Sequence, residues 1–70
     1  MRGLWWKYKV EGFYGAKARL PKRVGDMACG TVHADEVSRD MEISAFRARE
    51  DIGKIVVTDL RAYRSETIAK

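Results

Sequence analysis

A thiol and an imidazole four residues apart, Cys29 and His33, are the pair in this chain whose types suit nucleophilic catalysis. The residues between them, Gly30-Thr31-Val32, favour an extended backbone. At about 3.3 Å per residue, a strand separates Cys29 from His33 by roughly 13 Å, too far for a direct dyad. A helix would bring them together, but a glycine beside two β-branched residues opposes one. Cys29 therefore reads as a small buried hydrophobe and His33 as an ordinary strand residue. With one cysteine and one histidine in the chain, a metal site would need carboxylates to complete it. Asp35 is better placed as a helix cap, and no metal ligand is assigned. The carboxylate pairs Asp35-Glu36 and Glu50-Asp51 flank the ends of the predicted helix, where water solvates them. The glycines form neither G-x-G-x-x-G nor G-x-x-x-x-G-K-[ST], so no nucleotide loop and no cofactor are implied. No residue is assigned a catalytic role, and the chain reads as a non-enzyme.

The cations are more informative. Net charge is +4, and Arg2, Lys7, Lys9, Lys17, Arg19, Lys22 and Arg23 are opposed only by Glu11 in the first 23 residues. Such asymmetry is the electrostatic footprint of a surface for polyanions. At 70 residues the chain holds one small domain, with 46% hydrophobic and 34% charged residues, the balance of a globular domain. The apolar runs Leu4-Trp5-Trp6 and Ile55-Val56-Val57 are too short to span a bilayer, and the N-terminus lacks the apolar segment of a signal peptide. A cytoplasmic protein that avoids membranes is expected.

The elements must position those cations. Residues 4–10 alternate with period two: Leu4, Trp6, Tyr8 and Val10 on one face, Trp5, Lys7 and Lys9 on the other. Residues 14–20 repeat the pattern, with Tyr14, Ala16, Ala18 and Leu20 against Gly15, Lys17 and Arg19. A hairpin turning at Glu11-Gly12-Phe13 matches Val10 with Tyr14 and Trp6 with Ala18, keeping core opposite core. Pro21 then ends the second strand, and a third is predicted over 27–34. Asp35 caps a helix over 36–52 that stops at Gly53, with its acidic residues early and its arginines late. A strand from Ile55 follows, and 65–70 read as a frayed polar tail. The fold class is α+β, in the order β-β-β-α-β, a three- to four-stranded mostly antiparallel sheet with one helix on one face. Lys7, Lys9, Lys17 and Arg19 would then emerge together on the open face beside Trp5.

Steps of 100° per residue place Val37, Met41, Ala45, Ala48 and Ile52 in one stripe, read as the sheet-facing side. Ile43 and Phe46 fall opposite. Two readings stay open for them. A rotated helix would pack Phe46 at the sheet margin. Otherwise Ile43 and Phe46, rimmed by Arg39 and Arg47, would anchor a partner protein or a second copy of the chain.

Residues 11–18, EGFYGAKA, share a glycine and aromatics with the RNA-recognition motif. They begin with an acid and lack its later aromatics, and one helix stands where that fold needs two. The stretch Thr31-Val32-His33-Ala34-Asp35, running into the helix and on to Lys54-Ile55-Val56-Val57-Thr58-Asp59, resembles an arrangement found in very short phage and mobile-element proteins, some anti-CRISPR proteins among them. That resemblance implies a small inhibitor that docks on a nucleoprotein complex without catalysis, and it assigns no residue.

Two functional expectations result. The first is a non-catalytic module that sets Lys7, Lys9, Lys17 and Arg19 against phosphates and stacks Trp5 on a base, with Arg2, Lys22 and Arg23 extending the field. The second is an inhibitor or adaptor that meets an acidic host protein through the basic patch, or a partner through Ile43 and Phe46. Against both stands the possibility that the sheet-face cations serve solubility alone.

Overall fold

The structure is a computed structural model that describes residues 6–68. Its elements are β1 (Tyr8–Tyr14), β2 (Met27–His33), α1 (Glu36–Arg47), β3 (Ile52–Asp59) and β4 (Arg64–Ile68). The strands form one antiparallel sheet in the order β2-β1-β3-β4, and α1 packs on one face of it. The α+β class with one helix on one face of an antiparallel sheet is the expected one, but the elements run β-β-α-β-β and not β-β-β-α-β, because residues 15–26 form no strand and the C-terminal polar stretch does. No helix among the described residues is long and apolar enough to cross a membrane.

The predicted hairpin at residues 11–13 does not form, because the alternation that begins at Tyr8 runs straight through Gly12. Tyr8 and Val10 face the helix at 7% and 0% exposure. Gly12 continues the same face, where a Cβ would stand 2.9 Å from the Phe46 ring. The glycine seats that ring and makes no turn. Residues 15–26 are therefore a loop joining β1 to β2, and Pro21, expected to close a strand, lies within it after a cis bond to Leu20.

α1 starts where predicted. Asp35 is extended (φ −148°, ψ 173°), and its carboxylate accepts the Ser38 amide at 2.8 Å. The helix ends at Arg47 with Ala48 as its C-cap, well before Gly53. Ile52 is buried as expected, but as the first residue of β3. The stripe read as sheet-facing points outward: Val37 and Met41 are each 69% exposed, while Ile43 and Phe46 are 7% and 3% exposed. These two join Val10, Ile52, Ile55 and Val57 in one core. Full burial of such side chains contributes about 1.5–3 kcal/mol each.

Two irregularities shape the end of the sheet nearest the loop. Gly12 pairs with Cys29 and Phe13 with Met27, so Ala28 is an extra residue on β2. Phe13 pairs with Lys54 and Tyr14 with Ile52, so Gly53 is an extra residue on β3. Gly53 abuts Gly15, and a Cβ on either would lie 2.5–2.6 Å from the other's Cα. The polar stretch read as a frayed tail instead forms β4, in register with β3 from Asp59↔Arg64 to Ile55↔Ile68. Residues 69 and 70 lie outside the described residues.

Candidate functional site

The loop over 15–26 carries most of the basic residues singled out from sequence. Its root is tied by hydrogen bonds from the Tyr14 amide to the Asp26 carbonyl and from the Gly15 amide to the Asp51 carbonyl, both 2.9 Å. Along its length the Ala18 amide donates to Gly15, Lys22 to Arg19 and Asp26 to Arg23, so it is a succession of tight turns. Gly25, at φ 91°, occupies the left-handed region that the return to β2 requires.

Lys17, Arg19 and Lys22 line a shallow groove of about 330 Å³ together with Arg49, Glu50 and Asp51, four basic side chains to two acidic ones. Asp51 is held in a fork by Arg49, with Nε to Oδ1 at 3.0 Å and Nη2 to Oδ2 at 2.8 Å. Lys22 Nζ lies 3.8 Å from the same carboxylate. The Arg49 hydrogen bonds, aided by the charges of Arg49 and Lys22, hold the Asp51 carboxyl below its ordinary range. Arg23 stands exposed on the same loop, beside Leu20 and Val24, which are 88% and 68% exposed. The result is a basic end with an apolar tip.

No described element covers the sheet face opposite α1. Strand pairing puts Lys9, Glu11 and Phe13 of β1 there, with Val32 on β2 and Lys54, Val56 and Thr58 on β3. Lys9 Nζ is 3.8 Å from Glu11 Oε2. Lys54 Nζ lies 4.8 Å from the centre of the Phe13 ring, an ordinary cation–π distance. The two basic regions meet at the base of the loop, where Phe13 and Lys54 border a shallow hollow shared with Gly15 and Gly25.

The platform predicted from sequence is therefore divided. Lys9 is on the open face, but Lys17 and Arg19 belong to the loop with Lys22 and Arg23. Lys7, just before β1, is near the start of α1. Its charge adds a smaller part to the lowering of the Asp35 carboxyl, which the Ser38 amide dominates. Trp5 and Arg2 lie outside the described residues. Arg49, Lys54 and Phe13 were missed, and unbroken alternation through Gly12 is the signal that would have placed Phe13 beside Lys9.

The anchor proposed from Ile43 and Phe46 is part of the core and presents nothing to a partner. Arg39 lies 4.6 Å from the Tyr8 ring centre and bonds Asp40 at 3.0 Å, while Arg47 is exposed at the helix end. Tyr8 joins three elements: its hydroxyl donates to Glu36 Oε2 and accepts from Arg61 Nη2, both at 3.0 Å. The cleft beside it, about 440 Å³, sets Arg39 and Arg64 against Asp59 and Glu66, a balanced lining with no bias toward anions.

Cys29 is exposed, contrary to the expectation of burial, because it lies on the edge strand β2. His33 pairs with Glu42, bridging β2 to α1. Comparisons of this chain with protein-family models, with curated proteins and with solved structures find no match.

Proposed function

We propose that this protein is a non-catalytic binding module that engages nucleic acid, or a nucleoprotein complex, through the loop between β1 and β2. The observation that carries the reading is the convergence of Lys17, Arg19 and Lys22 with Arg49 on one groove, with Arg23 on the same loop. Lysines and arginines on an exposed loop contact backbone phosphates without reading bases. The open sheet face continues the surface through Lys54 and Phe13, offering a cation and an aromatic ring to a single strand.

Titration of labelled single- and double-stranded oligonucleotides tests this directly. The wild type binds at low salt, and the double variant Lys17→Glu with Arg19→Glu loses at least tenfold in affinity. Neither side chain is in the core, so the melting temperature stays near that of the wild type. Absence of binding at low salt, or equal affinity of the double variant, would end the proposal.

A second reading, favoured by exposed Leu20 and Val24 among the cations, is an inhibitor or adaptor docking on an acidic protein surface. The resemblance to anti-CRISPR proteins implies an inhibitor that docks on a nucleoprotein complex, whose protein part this surface would meet. Capture of one protein from a bacterial lysate that survives nuclease treatment, and is lost on Leu20→Ser with Val24→Ser, distinguishes it from the first.

A further inference from the structure

We propose that the hollow at the root of the loop is a seat for one unpaired base, so that the strand engaged by the basic groove is single-stranded nucleic acid. The inference rests on the nucleic-acid reading and adds to it a place where the protein touches bases as well as phosphates. The hollow holds about 340 Å³, at the small end of the range of small-molecule sites. Phe13, Val24 and Lys54 contribute side chains to its lining, whereas Gly15, Gly25 and Gly53 contribute bare backbone.

The glycines account for the opening. Gly15 and Gly53 approach so closely that neither can carry a side chain, and a Cβ on Gly25 would meet nothing within 4 Å. Backbone therefore lies exposed beside an aromatic ring. Gly53 is also the extra residue of the β3 irregularity, the one that a bulge leaves outside the ladder. Its peptide groups can hydrogen-bond the edge of a base while the Phe13 ring packs on the base's apolar surface.

Charge selects a base that carries its phosphate over other flat ligands. Among the described residues Lys54 is the one charged side chain in the lining, and Glu11 on the same sheet face is engaged by Lys9 at 3.8 Å. Lys54 Nζ rests 4.8 Å from the centre of the Phe13 ring. At an exposed site that contact is weaker than the stacking of a base on an aromatic ring. The flexible lysine stem gives way, leaving the ring to the base and carrying the ammonium to the phosphate. Ala16 lines the hollow and Lys17 the basic groove, so a strand with its phosphates along the groove passes the hollow within one residue of the loop. A base held in a duplex is not free to enter.

Affinities for an oligothymidylate and for an abasic strand of equal length, measured by fluorescence anisotropy across a salt series, test the seat. The two strands carry the same phosphates, so the loop binds both and their salt slopes agree. The wild type holds the oligothymidylate at least about fivefold more tightly, the worth of one stacked base. Ala16→Leu fills the hollow from an exposed loop position outside the core, and Phe13→Leu removes the ring. Each abolishes the preference while affinity for the abasic strand and the salt slope stay as in the wild type, and Phe13→Tyr keeps it. A wild type that binds both strands equally with a steep salt slope, or a preference that survives Ala16→Leu, would overturn the seat and leave the phosphate-binding reading standing. Absence of binding to either strand at low salt would overturn both.

Discussion

Gly12 has no side chain because the Phe46 ring occupies the space where one would stand, 2.9 Å from an added Cβ. Both residues are therefore fixed by the same contact. Phe46→Ala empties that seat and is expected to cost about 3–5 kcal/mol in denaturant unfolding. Gly12→Val overfills it and should cost about 1–3 kcal/mol or more. A loss under about 1 kcal/mol for Phe46→Ala would remove the ring from the core, where the measured effect of deleting a buried aromatic is several-fold larger. Acid sensitivity is also a residue-scale property. Hydrogen bonds from the Ser38 amide to Asp35, from Arg49 to Asp51 and from the Arg61 amide to Asp59 lower these carboxyls below their ordinary range. Each folded value is below the unfolded one, so its stabilisation is complete above about pH 4 and is lost as pH falls through the folded value. Asp35→Asn keeps a capping oxygen but removes the titration. Its melting temperature should fall less steeply with acidification below about pH 4 than that of the wild type. Identical acid limbs would show that the cap contributes no linkage.

The loop over 15–26 is a separable element, since its ends are already brought together by the pairing of Tyr14 with Asp26 and Gly25. Replacing residues 16–24 by a short glycine-containing turn should change unfolding free energy by no more than about 1 kcal/mol, because closure entropy varies slowly with length. Oligonucleotide binding should fall to the limit of detection. A replaced chain that binds as before would move the site to the sheet face. Much of this element level was legible beforehand. Asp35 marked the helix start, Thr31-Val32 and Ile55-Val56-Val57 marked strands, and the single helix on one sheet face followed from their order. The hairpin at Glu11-Gly12-Phe13 was misread because a glycine in a strand carries the same local signal whether it turns the chain or seats a ring. The helix face was misread for a related reason. Val37, Met41 and Ala45 form the better apolar stripe, but Phe46 and Ile43 fill the larger space over Gly12 and Val10. Residues 65–70 read as a frayed tail because Ser65 to Thr67 is wholly polar, yet an exposed edge strand such as β4 can be polar too.

For the whole molecule, charge is the property that separates one end from the rest. The basic bias of residues 1–23 was visible in the sequence, but its shape was not, because the predicted register spread onto a sheet face the cations that the loop gathers with Arg49 at one end. A module of this kind binds by neutralising phosphates, and each one neutralised releases condensed counterion. Salt dependence therefore reports the number of contacts independently of base sequence. The most direct measurement is the slope of log affinity against log salt for a single-stranded oligonucleotide, for the wild type and for the chain with residues 16–24 replaced. Engagement of Lys17, Arg19, Lys22 and Arg23 predicts a slope of about −3 for the wild type, and no measurable salt-dependent binding for the replaced chain. A wild-type slope near zero, or the same slope in both proteins, would contradict the account.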